Sequence, residues 1–121
     1  VTLTLPFPPS TNTAYANVRG RRVKTKKARE YSDLVLGECY RQRAYETAWP
    51  DAPRLAVRIH VYPPDRRKRD LANLEKLAVD AVFKHLGLDD SLIDDLHLVR
   101  KELDRPNGRL EITITEVDHA A

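Results

Sequence analysis

The sequence predicts an α+β domain with two main helices and one mixed or antiparallel sheet. Three patterns carry that prediction. Leu55, Val57, Ile59 and Val61 alternate with Arg54, Ala56, Arg58, His60 and Tyr62, the period-two signature of a strand with one face buried. Two stretches, Lys26 to about Thr47 and about Leu71 to Leu86, space their apolar residues with helical period. Strand-like segments open and close the chain, giving the order strand, short hairpin, helix, strand, helix, strand, strand. A length of 121 residues fits one domain, 1–121, with a modest core.

The first strand is Val1 to Leu5, ended by Pro6, Pro8 and Pro9; Ser10 to Thr13 is loop. Ala14 to Val18 and Arg21 to Lys24 pair across Arg19-Gly20 as a basic hairpin. Thr25 caps the first helix, whose apolar stripe is Ala28, Tyr31, Leu34, Val35 and Cys39, with Gly37 a weak point and Trp49-Pro50 the stop. After the strand Leu55 to Tyr62, Pro63-Pro64 breaks pairing. The second helix buries Leu74, Ala78, Ala81, Val82 and His85, turns Asn73, Lys76 and Asp80 outward, and stops at Gly87. Ile93 to Leu103 and Arg109 to Val117 read as a final pair of strands joined through Asp104 to Gly108, with Leu110, Ile112 and Ile114 inward.

Composition narrows the function. A lone Cys39 excludes an internal disulfide, and no Cys/His cluster has zinc spacing. No apolar run approaches the ~20 residues that span a bilayer, and no secretory or transit pattern opens the chain, so the expectation is a cytoplasmic protein with no membrane partner. The formal net charge is only +3, yet it is segregated. Seven cations (Arg19, Arg21, Arg22, Lys24, Lys26, Lys27 and Arg29) occur without an acid, and the block Arg66-Arg67-Lys68-Arg69 adds four more. Asp89 to Asp95 holds four acids and no base. That separation suits a surface that grips phosphates beside a pocket that binds a divalent metal, the two halves of a phosphodiester-cleaving site.

Asp70 stands where the second helix begins. A carboxylate there either caps the helix or binds metal; Asn73 and Lys76, one turn apart, point an amide and an ammonium toward the same region. A helix of ~15 residues carries the chain about 22 Å away. Asp90 must therefore return through a short loop or come from a second subunit, and Asp89, Asp94 or Asp95 fits as well as Asp90 in either case. His60, His85, His97 and His119 lack helical ligand spacing. Trp49 and Tyr62 read as packing residues, and Tyr15 near the hairpin has the chemistry to stack on a base.

Across nearly the whole chain, an ordered set of residues matches a known pattern: Leu3-Thr4-Leu5-Pro6-Phe7-Pro8-Pro9-Ser10 with Asn12, Asp65 to Asp70, Asn73-Leu74, Lys76, Asp80-Ala81, Leu88-Asp89-Asp90, and Gly108 to Glu116. By these the sequence resembles the RusA-type Holliday junction resolvases, small endonucleases often encoded by prophages. The resemblance implies a homodimer that binds four-way junction DNA and, with magnesium or manganese, makes paired nicks in strands of like polarity. It implies acidic ligands at Asp70, position 72 and Asp90, with Asp89 nearby, and an essential Lys76. Asn73 and the cations of Arg19 to Lys27 and Arg66 to Arg69 would hold DNA.

Position 72 departs from the pattern. The family reads Asp-Leu-Asp-Asn, and this chain reads Asp70-Leu71-Ala72-Asn73. Two explanations fit: an engineered inactivating change made to trap a complex, or a natural variant in which Asp89 or Glu75 supplies the charge. A non-catalytic junction- or DNA-binding protein of the same fold is the alternative reading. A small RNA-binding protein would explain the charge but not the ordered Asp70, Lys76 and Asp90.

Overall fold

The computed structural model describes residues 1–9 and 15–117. The expected loop at Ser10 to Thr13, the side chains of Tyr15 and Arg22, and His119 lie outside the described residues. The elements are β1 (Thr2–Pro6), β2 (Tyr15–Val18), β3 (Arg21–Lys24), α1 (Lys26–Arg41), β4 (Leu55–Tyr62), α2 (Ala72–Leu86), β5 (Ile93–Arg100) and β6 (Arg109–Glu116), with short 3-10 turns at Ala44–Glu46 and Asp90–Leu92. The fold is α+β, and its four-stranded sheet is mixed, in the order β1-β6-β4-β5. Strands β1 and β4 run antiparallel to β6, while β5 runs parallel to β4.

Alternation places the core. Leu3 and Leu5 of β1, Leu55, Val57, Ile59 and Val61 of β4, and Leu110, Ile112 and Ile114 of β6 are all buried. Val57 lies opposite both Ile114 and Leu96, so the apolar rows of three strands are in register. Tyr31 and Val35 of α1 and Leu74, Leu77, Ala78 and Val82 of α2 close that core. Each fully buried Leu or Ile stabilises by roughly 1.5 to 3 kcal/mol.

Three expectations are corrected. Helix α1 ends at Arg41 rather than near Thr47. Gln42 leaves the helix to dock on β1, where its side-chain amide accepts the Thr4 N–H at 2.9 Å and donates to the Thr4 carbonyl at 2.7 Å, and Arg43 then turns left-handed at φ 59°. Leu34 is 56% exposed and stands outside the core, because the buried stripe of α1 follows Ala28, Tyr31, Ser32, Val35 and Cys39. The last two strands are not neighbours: β4 lies between them, and the first of the two ends at Arg100 instead of Leu103.

Helix α2 starts one residue later than expected and stops at Gly87, which adopts the left-handed conformation at φ 71°. His85 is half-buried, its Nε2 3.0 Å from both the Ser32 hydroxyl and the Ser32 carbonyl, which ties α2 to α1. Since β4 and β5 are parallel neighbours, α2 is the crossover between them. It separates the loop after β4 from the loop before β5.

Candidate active site

The basic block lies in the loop after β4. Pro63 and Pro64 end the strand, because proline has no amide hydrogen to extend the ladder. Asp65 then organises the turn: its carboxylate accepts the Arg67 backbone N–H at 2.9 Å and the Arg69 guanidinium at 2.7 Å. Those bonds, the one from Arg69 foremost, hold its pKa down at about 2. The Arg69 guanidinium also lies 5.2 Å from the centre of the Phe7 ring, and the Arg69 carbonyl accepts the Arg100 guanidinium at 2.6 Å. Arg69 is thus enclosed, while Arg66, Arg67 and Lys68 are exposed.

Asp70 follows at the entrance to α2 and is exposed. Its Oδ1 accepts the Ala72 N–H and its carbonyl the Asn73 N–H, each at 3.1 Å, so it starts the helix as a carboxylate at the positive end of a helix dipole should. Asp70 and Asn73 line a cleft of about 390 Å³ together with Arg67 and Lys68.

A second cleft, of about 350 Å³, lies farther along α2. Lys76 and Asp90 share it with Glu75, Asp80, Asp94 and Asp95. The Lys76 ammonium is 3.8 Å from the Asp80 carboxylate. Asp94 is engaged by Arg54, and Asp95 lies 2.9 Å from His97 Nε2. Burial raises the pKa of Glu75; the charge of Asp80 pushes the same way, Lys76 opposes it, and Asp90 adds to it. Asp89 turns to a local task, since it accepts the Ser91 N–H at 2.9 Å, a bond that lowers its pKa.

The structure therefore joins Lys76 to Asp90 and Asn73 to Asp70, but puts Asp70 and Asp90 on separate clefts. The crossover explains this: α2, with 15 residues and a length of about 22 Å, runs away from Asp70, and the chain returns with Asp90 beside the helix middle. Among the described residues, no three His, Cys, Asp or Glu side chains converge to hold a metal ion. The donors along the Asp90 cleft are all hard carboxylate oxygens, the chemistry that suits magnesium, which takes one or two carboxylates alongside water and phosphate oxygens.

Position 72 sits on the same side of α2 as Glu75, Lys76 and Val79, three residues that line the Asp90 cleft. A carboxylate at 72 would thus stand one turn from Lys76, whereas Ala72 presents an exposed methyl. Two residues gain roles that the sequence reading did not give them. Asp65, named there only as part of the matching stretch, shapes the basic loop from its Asx-type position after Pro64. Lys84 shares a cleft with Asp90 and Lys24, and its place one turn after Asp80 on α2 is the clue.

The Endodeoxyribonuclease RusA family profile matches residues 6–115, a span that contains both clefts. The chain is 40% identical over 119 residues to the crossover junction endodeoxyribonuclease RusA of Escherichia coli strain K12, covering 95% of this chain and 93% of that protein. The same coverage holds for the protein of that name from Shigella sonnei at 40% identity and from Enterobacteria phage 82 at 38%. With both the loop at Asp70 and the cleft at Asp90 inside so long a match, the chain belongs to the RusA endodeoxyribonuclease family.

Proposed function

We propose that the protein is a structure-selective endodeoxyribonuclease that binds four-way DNA junctions as a homodimer and makes paired, metal-dependent nicks in strands of like polarity. The observation that carries this reading is the cleft shared by Lys76 and Asp90, set within a family match that reaches from Pro6 to Thr115. A bound magnesium or manganese ion would activate water and neutralise charge on the scissile phosphate. Asp90 and Asp70 are its proposed ligands. Lys76 brings an ammonium to the cleft, where it offsets negative charge developing on phosphate oxygens. Asn73 and the exposed Arg66, Arg67 and Lys68 grip the strand beside the cut.

A homodimer reconciles the two clefts. A two-fold axis gives two equivalent cuts on a two-fold junction. It would also let the Asp70 loop of one protomer complete the Asp90 cleft of its partner, since within one chain the two residues line different clefts. Glu75, already inside the Asp90 cleft, is the better of the two candidates to offset the missing carboxylate at 72, because Asp89 is committed to its turn.

Cleavage of an end-labelled four-way junction in magnesium tests the reading, with this chain compared to Ala72→Asp at matched binding. The expected result is symmetric nicking by Ala72→Asp at a rate at least about tenfold above this chain. Tight junction binding with no cutting by either protein would favour the non-catalytic binding reading, which the exposed methyl of Ala72 supports.

A further inference from the structure

We infer that a DNA strand reaches Asp90 along one continuous groove whose cationic end is built by β3, the start of α1 and the last turn of α2, with Lys84 and Arg29 as phosphate-holding residues. The inference rests on the endonuclease reading and adds a path and two residues to it.

Shared lining residues make three clefts neighbours. A cleft of about 530 Å³ is lined by Lys24, Lys26, Arg29 and Lys84, with Glu30 and Asp33 as its acids. Lys24 and Lys84 also line the next cleft, of about 450 Å³, which contains Asp80 and Asp90. Asp80 and Asp90 in turn line the cleft that holds Lys76. The three open spaces thus form one trough, cationic at the α1 end and acidic at the catalytic end.

That polarity suits a phosphodiester backbone. Cations along a concave wall raise the local concentration of a polyanion and orient it, while carboxylates at the far end repel bare phosphate until a metal is present. Lys84 is exposed and sits where both clefts meet, so one ammonium serves the passage from the gripping end to the acidic end. Arg29 is held in place by the bond from its guanidinium to the Lys24 carbonyl at 2.9 Å, which fixes it beside β3. The first turn of α1 carries no acid, and of the two acids in this cleft Glu30 is paired with Lys26 at 3.8 Å, which leaves four cations against two carboxylates.

Lys84 has a competing structural role, since a cation in the last turn of a helix also complements the dipole. The salt dependence of binding separates the two. The experiment measures junction affinity between about 50 and 200 mM salt for the parent chain, Lys84→Gln, Arg29→Gln and Lys84→Arg, with thermal melts as the folding control. Each phosphate contact contributes a slope of about −0.9 in log affinity against log salt. Lys84→Gln and Arg29→Gln should each bind more weakly at low salt and lose about 3.5-fold less affinity over this range, whereas Lys84→Arg should keep the parent slope. Parental affinity and slope in Lys84→Gln would overturn the groove while leaving the endonuclease reading intact. A parent chain that fails to bind the junction would overturn both.

Discussion

Arg69 is locked to Asp65 by a 2.7 Å hydrogen bond, and that pair gives the basic loop its shape before any DNA arrives. The folded-state pKa of Asp65 is about 2, below the ordinary carboxylate value of about 4. The sign follows: the pair's contribution is fully present above pH ~4 and is lost as pH falls through about 2. Carboxyl NMR should therefore find the Asp65 midpoint near 2. Asp65→Asn should remove that titration and loosen the loop, seen as faster amide exchange at Arg67.

Gly108 is the position where backbone and packing leave no room for a side chain. Its φ is +71°, and a Cβ there would meet Pro64 Cδ at 2.8 Å and the Tyr62 carbonyl oxygen at 2.9 Å. Gly108→Ala should destabilise by about 2 kcal/mol or more, combining left-handed strain with a clash against rigid backbone. Urea denaturation should show a lower midpoint at unchanged slope. Because Pro64 opens the basic loop, junction affinity should fall in the same variant.

If the partner subunit completes each site, mixing two dead proteins restores cutting. Asp70→Asn and Asp90→Asn, each built on Ala72→Asp, should both be inactive alone. A heterodimer of the two has one site carrying both changes and one carrying neither, so it should nick one strand. Persistent inactivity of the mixture, with exchange verified by mass, would place both ligands in one protomer.

Glu75 should be a group whose charge opposes folding. Burial and neighbouring acids raise its folded-state pKa, so its ionisation weakens the native state as pH rises through that value. Glu75→Gln should melt higher than the parent at neutral pH, and the difference should vanish below pH ~4, where the parent's carboxyl is also protonated. Differential scanning calorimetry across pH reads this directly.

Local patterns carried much of the fold. The alternation of Leu55 to Tyr62, the Thr25 cap, whose hydroxyl accepts the Ala28 N–H, and the Gly87 stop are short-range signals, and each holds in the structure. The misses were long-range. Gln42 ends α1 by binding Thr4, 38 residues away, which no window of sequence reveals. Strand order was equally hidden, since β5 carries little alternation, with Leu96 and Val99 exposed, and only β4 decides which neighbour lies on which side. The candidate site residues were named as residue types, and the structure groups them as Lys76 with Asp90 and Asn73 with Asp70. The site's division into two clefts followed from the parallel β4–β5 pairing, which the expected pairing of the last strands concealed.

The position of β6 governs when this protein can come alive. The last strand in the chain fills the gap between the first strand and β4, through pairs such as Leu3 with Ile112 and Ile59 with Ile112. A nascent chain that has emerged only as far as Asn107 has its basic loop and its carboxylates but no centre to its sheet. Assembly must then wait on contacts of the highest sequence separation, which slow folding. The two clefts would thereby be assembled only after synthesis has passed β6.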